Sequence, residues 1–166
     1  MNSHMMLITY ISTLTFVHVL LSLIGIGSGF VVLFGLLTRR RLDRWTAIFL
    51  STTVATSATG FFFPIHKLTP GLVIGIISLV VLALAITALY VSHLAGAWRW
   101  IYVFGSVFAL YLNVFVAIAQ AFRNIPALRE MATQSESPFR FTQLTVVTLF
   151  IVLAIVAAKR FRVAHA

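Results

Sequence analysis

Five apolar stretches, 7–37, 45–65, 70–94, 98–122 and 141–158, are separated by short polar joints. A helix needs roughly 17–25 apolar residues to cross about 30 Å of hydrocarbon, and each stretch meets that length. None holds an Asp, Glu, Lys or Arg except Arg99, one residue from an end. The pattern predicts an all-α, polytopic transmembrane helix bundle of five spans, forming a single domain over 1–166. A bundle of four spans, with one segment re-entrant or interfacial, is the alternative.

The joints constrain the path. Only Ala95, Gly96 and Ala97 separate the third and fourth stretches, which forces an antiparallel hairpin. The one long connection, 123–140, carries Pro126, Pro138 and a polar run from Thr133 to Ser137. Asn124 as a cap and Pro126 in the first turn predict a short helix through Met131. A solvated linker and a lid are the two readings of this segment. No internal repeat is visible, so a transporter built from symmetric halves is not expected.

Composition agrees with the pattern. Of 166 residues, 61% are hydrophobic and 9% charged, and mean hydropathy is +1.07. Soluble domains carry about a quarter charged residues, so a soluble globular fold is excluded. The absence of cysteine excludes a disulfide-stapled secreted domain. Met1 to Met5 reads as an appended leader, which removes His4 from any site. The first stretch has no basic flank and is too long for the core of a cleavable signal.

The net charge of +9 would suggest nucleic acid in a soluble protein. Alternating the joints between two sides gives a different account. Arg39, Arg40, Arg41, Arg44, Arg99, Lys159, Arg160 and Arg162 fall on one side, with Asp43 as its only acid. Lys67, Arg123, Arg129 and Arg140 fall on the other, with Glu130 and Glu136. Basic residues accumulate in cytoplasmic loops, so the N-terminus is expected outside and the C-terminus inside. Trp45, Trp98 and Trp100 all lie on the basic side, as an interfacial belt would. The lipid bilayer, and not nucleic acid, is the expected partner.

Helical faces identify candidate functional residues. Thr15, His18, Ser22, Gly25 and Gly29 fall within an arc of about 80° on the first span. Gly25 and Gly29 form a notch for close helix packing, and His18 on the same face should look into the bundle. Gly71 and Gly75 form a second notch, so mutual packing of spans one and three is expected. The second span carries Ser51, Thr52, Thr53, Thr56, Ser57 and Thr59, whose hydroxyls can bond to their own helix. On the fourth span, Tyr102, Ser106, Ala109, Asn113, Ala117 and Gln120 make a stripe about 27 Å long. Amides at that depth must meet protein, water or a ligand. Interhelical hydrogen bonding is the purely structural account of the stripe.

The chemistry available is narrow. No span contains a carboxylate, which excludes carboxylate-dependent ion transport and an intramembrane aspartyl protease. Without cysteine there is no thiol redox chemistry, and no metalloprotease or nucleophile motif occurs, so enzymatic activity is not expected. His18 lies about 30 Å from the level of His93, too far for the two to ligate one haem. His18 and His66 share the outer level and, with a loop carboxylate, could hold zinc or copper. No cofactor is expected. Residues His18, Tyr102, Ser106, Asn113, Gln120 and Gln143 are the candidate solute pocket, open to the outside.

Three strings, Ala97-Trp-Arg-Trp-Ile-Tyr-Val103, Leu110-Tyr-Leu-Asn-Val-Phe-Val116 and Thr133-Gln-Ser-Glu-Ser-Pro-Phe139, carry a resemblance. Together they resemble a family of small bacterial integral membrane proteins with no assigned activity. The resemblance covers most of the chain and implies a bacterial inner membrane, with nothing on substrate. The leading expectation is a small inner-membrane protein that binds or passes a small solute or ion through an outward-opening polar pocket. The alternatives are a non-catalytic accessory subunit or homo-oligomer, and an outer-face metal or haem protein.

Overall fold

The structure, a computed structural model, describes residues 3–63, 69–134 and 137–161, and every regular element among them is helical. The elements are α1 (Ser3–Leu37), α2 (Asp43–Thr59) with a 3-10 turn (Gly60–Phe62), α3 (Pro70–Ile86) with a π-turn (Thr87–Val91), α4 (Trp98–Asn124), α5 (Pro126–Gln134) and α6 (Ser137–Arg160). Four helices are long and apolar enough to cross a membrane: α1 from Met5, α3 with its π-turn, α4 and α6.

The second apolar stretch is different. Its helix α2 has 17 residues and is diluted by hydroxyls, so it does not join those four on length and composition. It nevertheless runs antiparallel to α1 from His18 to Gly35. His18 meets Thr59 at one end. Gly25 then faces Thr52 and Thr53, Gly29 faces Phe49, and Gly35 faces Leu42 at the other end. At Gly29 a Cβ would stand 2.9 Å from Phe49 Cε2 and 2.6 Å from Leu110 Cδ1. Only glycine lets α1 approach α2 and α4 this closely there.

Local chemistry sets the breaks. Arg39 adopts a positive φ of 60°, and Arg40 N–H donates to Gly35 C=O at 2.8 Å, closing α1 with a left-handed cap. Thr69 caps α3 by accepting from Leu72 N–H at 3.3 Å, with Pro70 in the first turn. Ile125 is extended, as the residue before a proline prefers, and it divides α4 from α5. Asn124 thus closes α4 and does not cap α5, which runs on to Gln134. The connection 123–140 is mostly helix, made of the α4 end, α5 and the start of α6.

Helix α4 is central, packing against α1, α3, α5 and α6. The expected packing of the α1 and α3 glycine pairs on each other does not form. A Cβ at Gly75 of α3 would stand 3.8 Å from Ser57 O of α2 and 3.9 Å from Phe61 of its 3-10 turn, and one at Gly71 would meet, among the described residues, only Thr69 of its own cap. Helix α2, with its small hydroxyl residues, takes the place between the two glycine faces. Ser57 Oγ donates to Ser78 Oγ at 3.1 Å across this α2–α3 contact.

The buried core joins Phe49 of α2, Leu82 and Ala85 of α3, Tyr102, Val103, Val107 and Leu110 of α4 and Ala157 of α6. The outward surface is strongly apolar, with Phe16, Phe34, Val80, Val91, Phe141 and Ile151 all exposed. Such a surface would aggregate in water and suits hydrocarbon.

Candidate functional site

The α4 stripe divides into two unlike halves. At the end that carries the basic joints, Tyr102, Ser106 and Ala109 are 1%, 2% and 0% exposed. Tyr102 Oη lies 3.3 Å from Thr46 Oγ1 of α2, and its ring sits 6.2 Å from that of Phe161. This half is a packed helix contact, in which the buried Ser106 Oγ has no hydrogen-bond partner among the described residues. Beyond it Asn113 is partly buried, while Ala117 and Gln120 are exposed. Gln120 Oε1 accepts from Asn124 Nδ2 at 3.3 Å within α4 and faces no other helix with a hydrogen bond.

Asn113 Nδ2 donates to Thr53 Oγ1 at 3.2 Å. Gly25 completes this three-helix junction, because a Cβ there would lie 3.5 Å from Asn113 Nδ2. The amide carbonyl oxygen of Asn113 has no hydrogen bond among the described residues. Two turns along α2, Thr59 hydroxyl donates to Thr56 C=O at 2.9 Å, and His18 Nδ1 lies 2.9 Å from the same oxygen. With the Thr59 hydroxyl donating to Thr56 C=O, the matching tautomer has His18 Nδ1–H donating to Thr59 Oγ1. His18 Nε2 then keeps its lone pair. The ring packs edge-on to Phe63 at 5.5 Å and beside Gly60, where a Cβ would be 3.9 Å from Cε1.

Between these two groups, Thr56 is buried with its Oγ1 unpartnered among the described residues. The signal was present in the sequence as a hydroxyl-rich helix. Ser51, Thr52 and Thr59 do bond back to their own helix, and this self-satisfaction conceals which hydroxyl is spare. Gln143 of α6 stands apart from His18 and Thr59. It donates through Nε2 to Phe115 C=O at 3.3 Å, and its buried Oε1 has no partner among the described residues.

The predicted pocket residues therefore form three groups: Tyr102 with Ser106, Asn113 with Thr53 and Gly25, and His18 with Thr59. Gln120 and Gln143 join none of them. Two cavities among the described residues are apolar furrows beside α4, and no predicted pocket residue lines either. Among the described residues no three His, Asp or Glu side chains gather to hold a metal. His66 and Glu136 lie outside the described residues, so the His18–His66 pairing has no geometry to report. Comparison of the chain with protein-family models, curated proteins and solved structures finds no match.

Proposed function

We propose that this chain is a non-catalytic, five-span membrane protein that binds a small polar solute at the end of the bundle opposite its basic joints. The basic end faces the cytoplasm of a bacterial inner membrane, as the distribution of Arg and Lys favours. Helix α2 counts as the fifth span, because its contacts with α1 continue from His18 to Gly35.

The observation that carries the solute reading is Thr56 Oγ1, buried on α2 without a hydrogen-bond partner among the described residues, with His18 of α1 and the Asn113 amide of α4 to either side of it along the helices. A buried polar atom is nearly always satisfied, so Thr56 Oγ1 supports a bound molecule or ordered water there. The buried side chains of Tyr102, Val103, Val107 and Leu110 close the bundle toward the basic end, which supports binding over open passage.

A screen of the purified protein against amino acids, sugars and polyols, read by thermal unfolding in detergent, tests this. One solute class should raise Tm of the wild type, by up to about 2.7 kcal/mol of stability at a hundredfold excess over Kd. His18→Phe and Asn113→Leu should each remove the shift. A shift that survives both variants would overturn the assigned site.

The accessory-subunit reading is favoured by the Ser57–Ser78 and Thr46–Tyr102 bonds, which are complete without a ligand. A flat solute screen together with a defined homo-oligomer in detergent would support it.

A further inference from the structure

Two apolar furrows run along α4, one on each side of a ridge formed by Phe104 and Phe108. The first, about 280 Å³, lies between α3 and α4 and is lined by Val81, Leu84, Ile101 and Gly105 besides the ridge. The second, about 430 Å³, lies between α4 and α6, with Tyr111, Phe150, Ile151 and Ile155 among its walls. Gly105 helps to shape the first, since a Cβ there would stand 3.3 Å from Ala85 Cβ and wedge α3 from α4.

Both helices that bound the larger furrow change character at the same end. On α4 the ridge continues one turn from Phe104 to Trp100, and the two rings stack at 6.3 Å. The guanidinium of Arg99 sits 4.8 Å from the centre of the Trp100 ring, held there by a 3.1 Å bond from Nη1 to Phe161 C=O. On α6, Ile151 and Ile155 are followed four residues later by Lys159, and then by Arg160. Residues four apart share a helical face, so the furrow wall leads directly to an ammonium group. Lys159 and Arg160 are exposed and make no ion pair among the described residues. An apolar trough thus ends in an aromatic ring and three cations.

We propose that this surface binds one anionic diacyl phospholipid of the leaflet at the basic end. The acyl chains straddle the Phe104–Phe108 ridge, one in each furrow, and the phosphate lies against Lys159, Arg160 and Trp100 Nε1–H. Basic residues where membrane helices meet the interface attract anionic headgroups, and a tryptophan at that level has an apolar face for the chain and a donor for the phosphate. The shape argues against a second copy of the chain as occupant. A partner helix, about 10 Å across with its side chains, offers one convex ridge, whereas this surface offers two furrows divided by a ridge of its own.

The test uses the full chain carrying Trp45→Phe and Trp98→Phe, so that Trp100 is the sole tryptophan. The protein is reconstituted in phosphatidylcholine vesicles containing graded amounts of phosphatidylglycerol. Either lipid is supplied with brominated acyl chains, which quench a neighbouring indole. Brominated phosphatidylglycerol should quench Trp100 at a several-fold lower mole fraction than brominated phosphatidylcholine. Lys159→Gln and Arg160→Gln should each reduce that preference by about five-fold, the order expected for one interfacial base. Raising salt to about 1 M on the unsubstituted charges should reduce it as well, and this measurement needs no charge variant to fold. Equal quenching by the two lipids, or a preference indifferent both to salt and to the loss of the two bases, overturns the proposal. Quenching by neither lipid, with Trp100 shielded in a stable dimer, overturns it in favour of a second copy.

Discussion

Asn113 of α4 donates to Thr53 of α2 at 3.2 Å, and the two meet over Gly25 of α1, where a Cβ would stand 3.2 Å from the same Thr53 oxygen. Three helices therefore share one polar contact at the middle of the bundle. The absence of a side chain on α1 lets the amide and hydroxyl reach each other there. An amide at this depth would be costly against lipid, so the bond ties α4 to a fixed rotation relative to α2.

A double-mutant cycle on this pair should give a coupling of about 0.6 kcal/mol, the average for interhelical hydrogen bonds in membrane proteins. Thr53→Val and Asn113→Leu are the single variants, and unfolding in mixed micelles is the measurement. A coupling indistinguishable from zero would mean the two residues act separately and the junction is packing alone.

Gly29 and Gly27 differ sharply although they are two residues apart. A Cβ at Gly29 would collide with Leu110 Cδ1 at 2.6 Å and the Phe49 ring at 2.9 Å, whereas at Gly27 none of the described residues lies within 4 Å. Gly29→Ala should destabilise by about 1–3 kcal/mol, the usual cost of overfilling a packed contact. Gly27→Ala should be neutral or stabilising by up to about 1 kcal/mol, through better helix propensity. The same unfolding assay compares them, and equal losses at the two sites would refute the α1–α2 register.

The helices were legible in the sequence because apolar length, proline position and breaks in hydrophobicity are local properties. Pro126 and Ile125 mark the α4–α5 break, and the stripe from Tyr102 to Gln120 lies along the one helix α4. What that stripe meets is not a local property. Tyr102 and Ser106 are sealed because α2 and the end of α6 happen to cover them, while Gln120 lies beyond that cover and turns back on Asn124. The α3 glycines misled for the same reason. A small-residue notch states that some helix comes close, and α2, the least hydrophobic of the long helices, is the one that does. Similarly, nothing in the hydroxyl series distinguishes Thr56 from Thr52 until the partners of each are known.

The path of α2 has a consequence for topology that labelling can read directly. If α2 crosses the bilayer, the joint after α1 and the joint between α3 and α4 lie on one side, and α5 lies on the other. If α2 stays at an interface, the next two joints exchange sides, so that Thr38 and Ala95 face opposite compartments and Thr133 shares the side of Thr38. Thr38, Ala95 and Thr133 are all exposed, and the chain has no native cysteine. Thr38→Cys, Ala95→Cys and Thr133→Cys are therefore clean single probes for a membrane-impermeant maleimide on intact spheroplasts. Thr133→Cys should label at once, and the other two only after permeabilisation, because eight of the twelve bases belong to the side of Thr38 and Ala95 in the five-span arrangement. Immediate labelling of Thr38→Cys and Ala95→Cys with protection of Thr133→Cys would keep five spans and reverse the orientation. Labelling that separates Thr38→Cys from Ala95→Cys would remove α2 from the membrane-crossing set, and with it the seam on which the solute site depends.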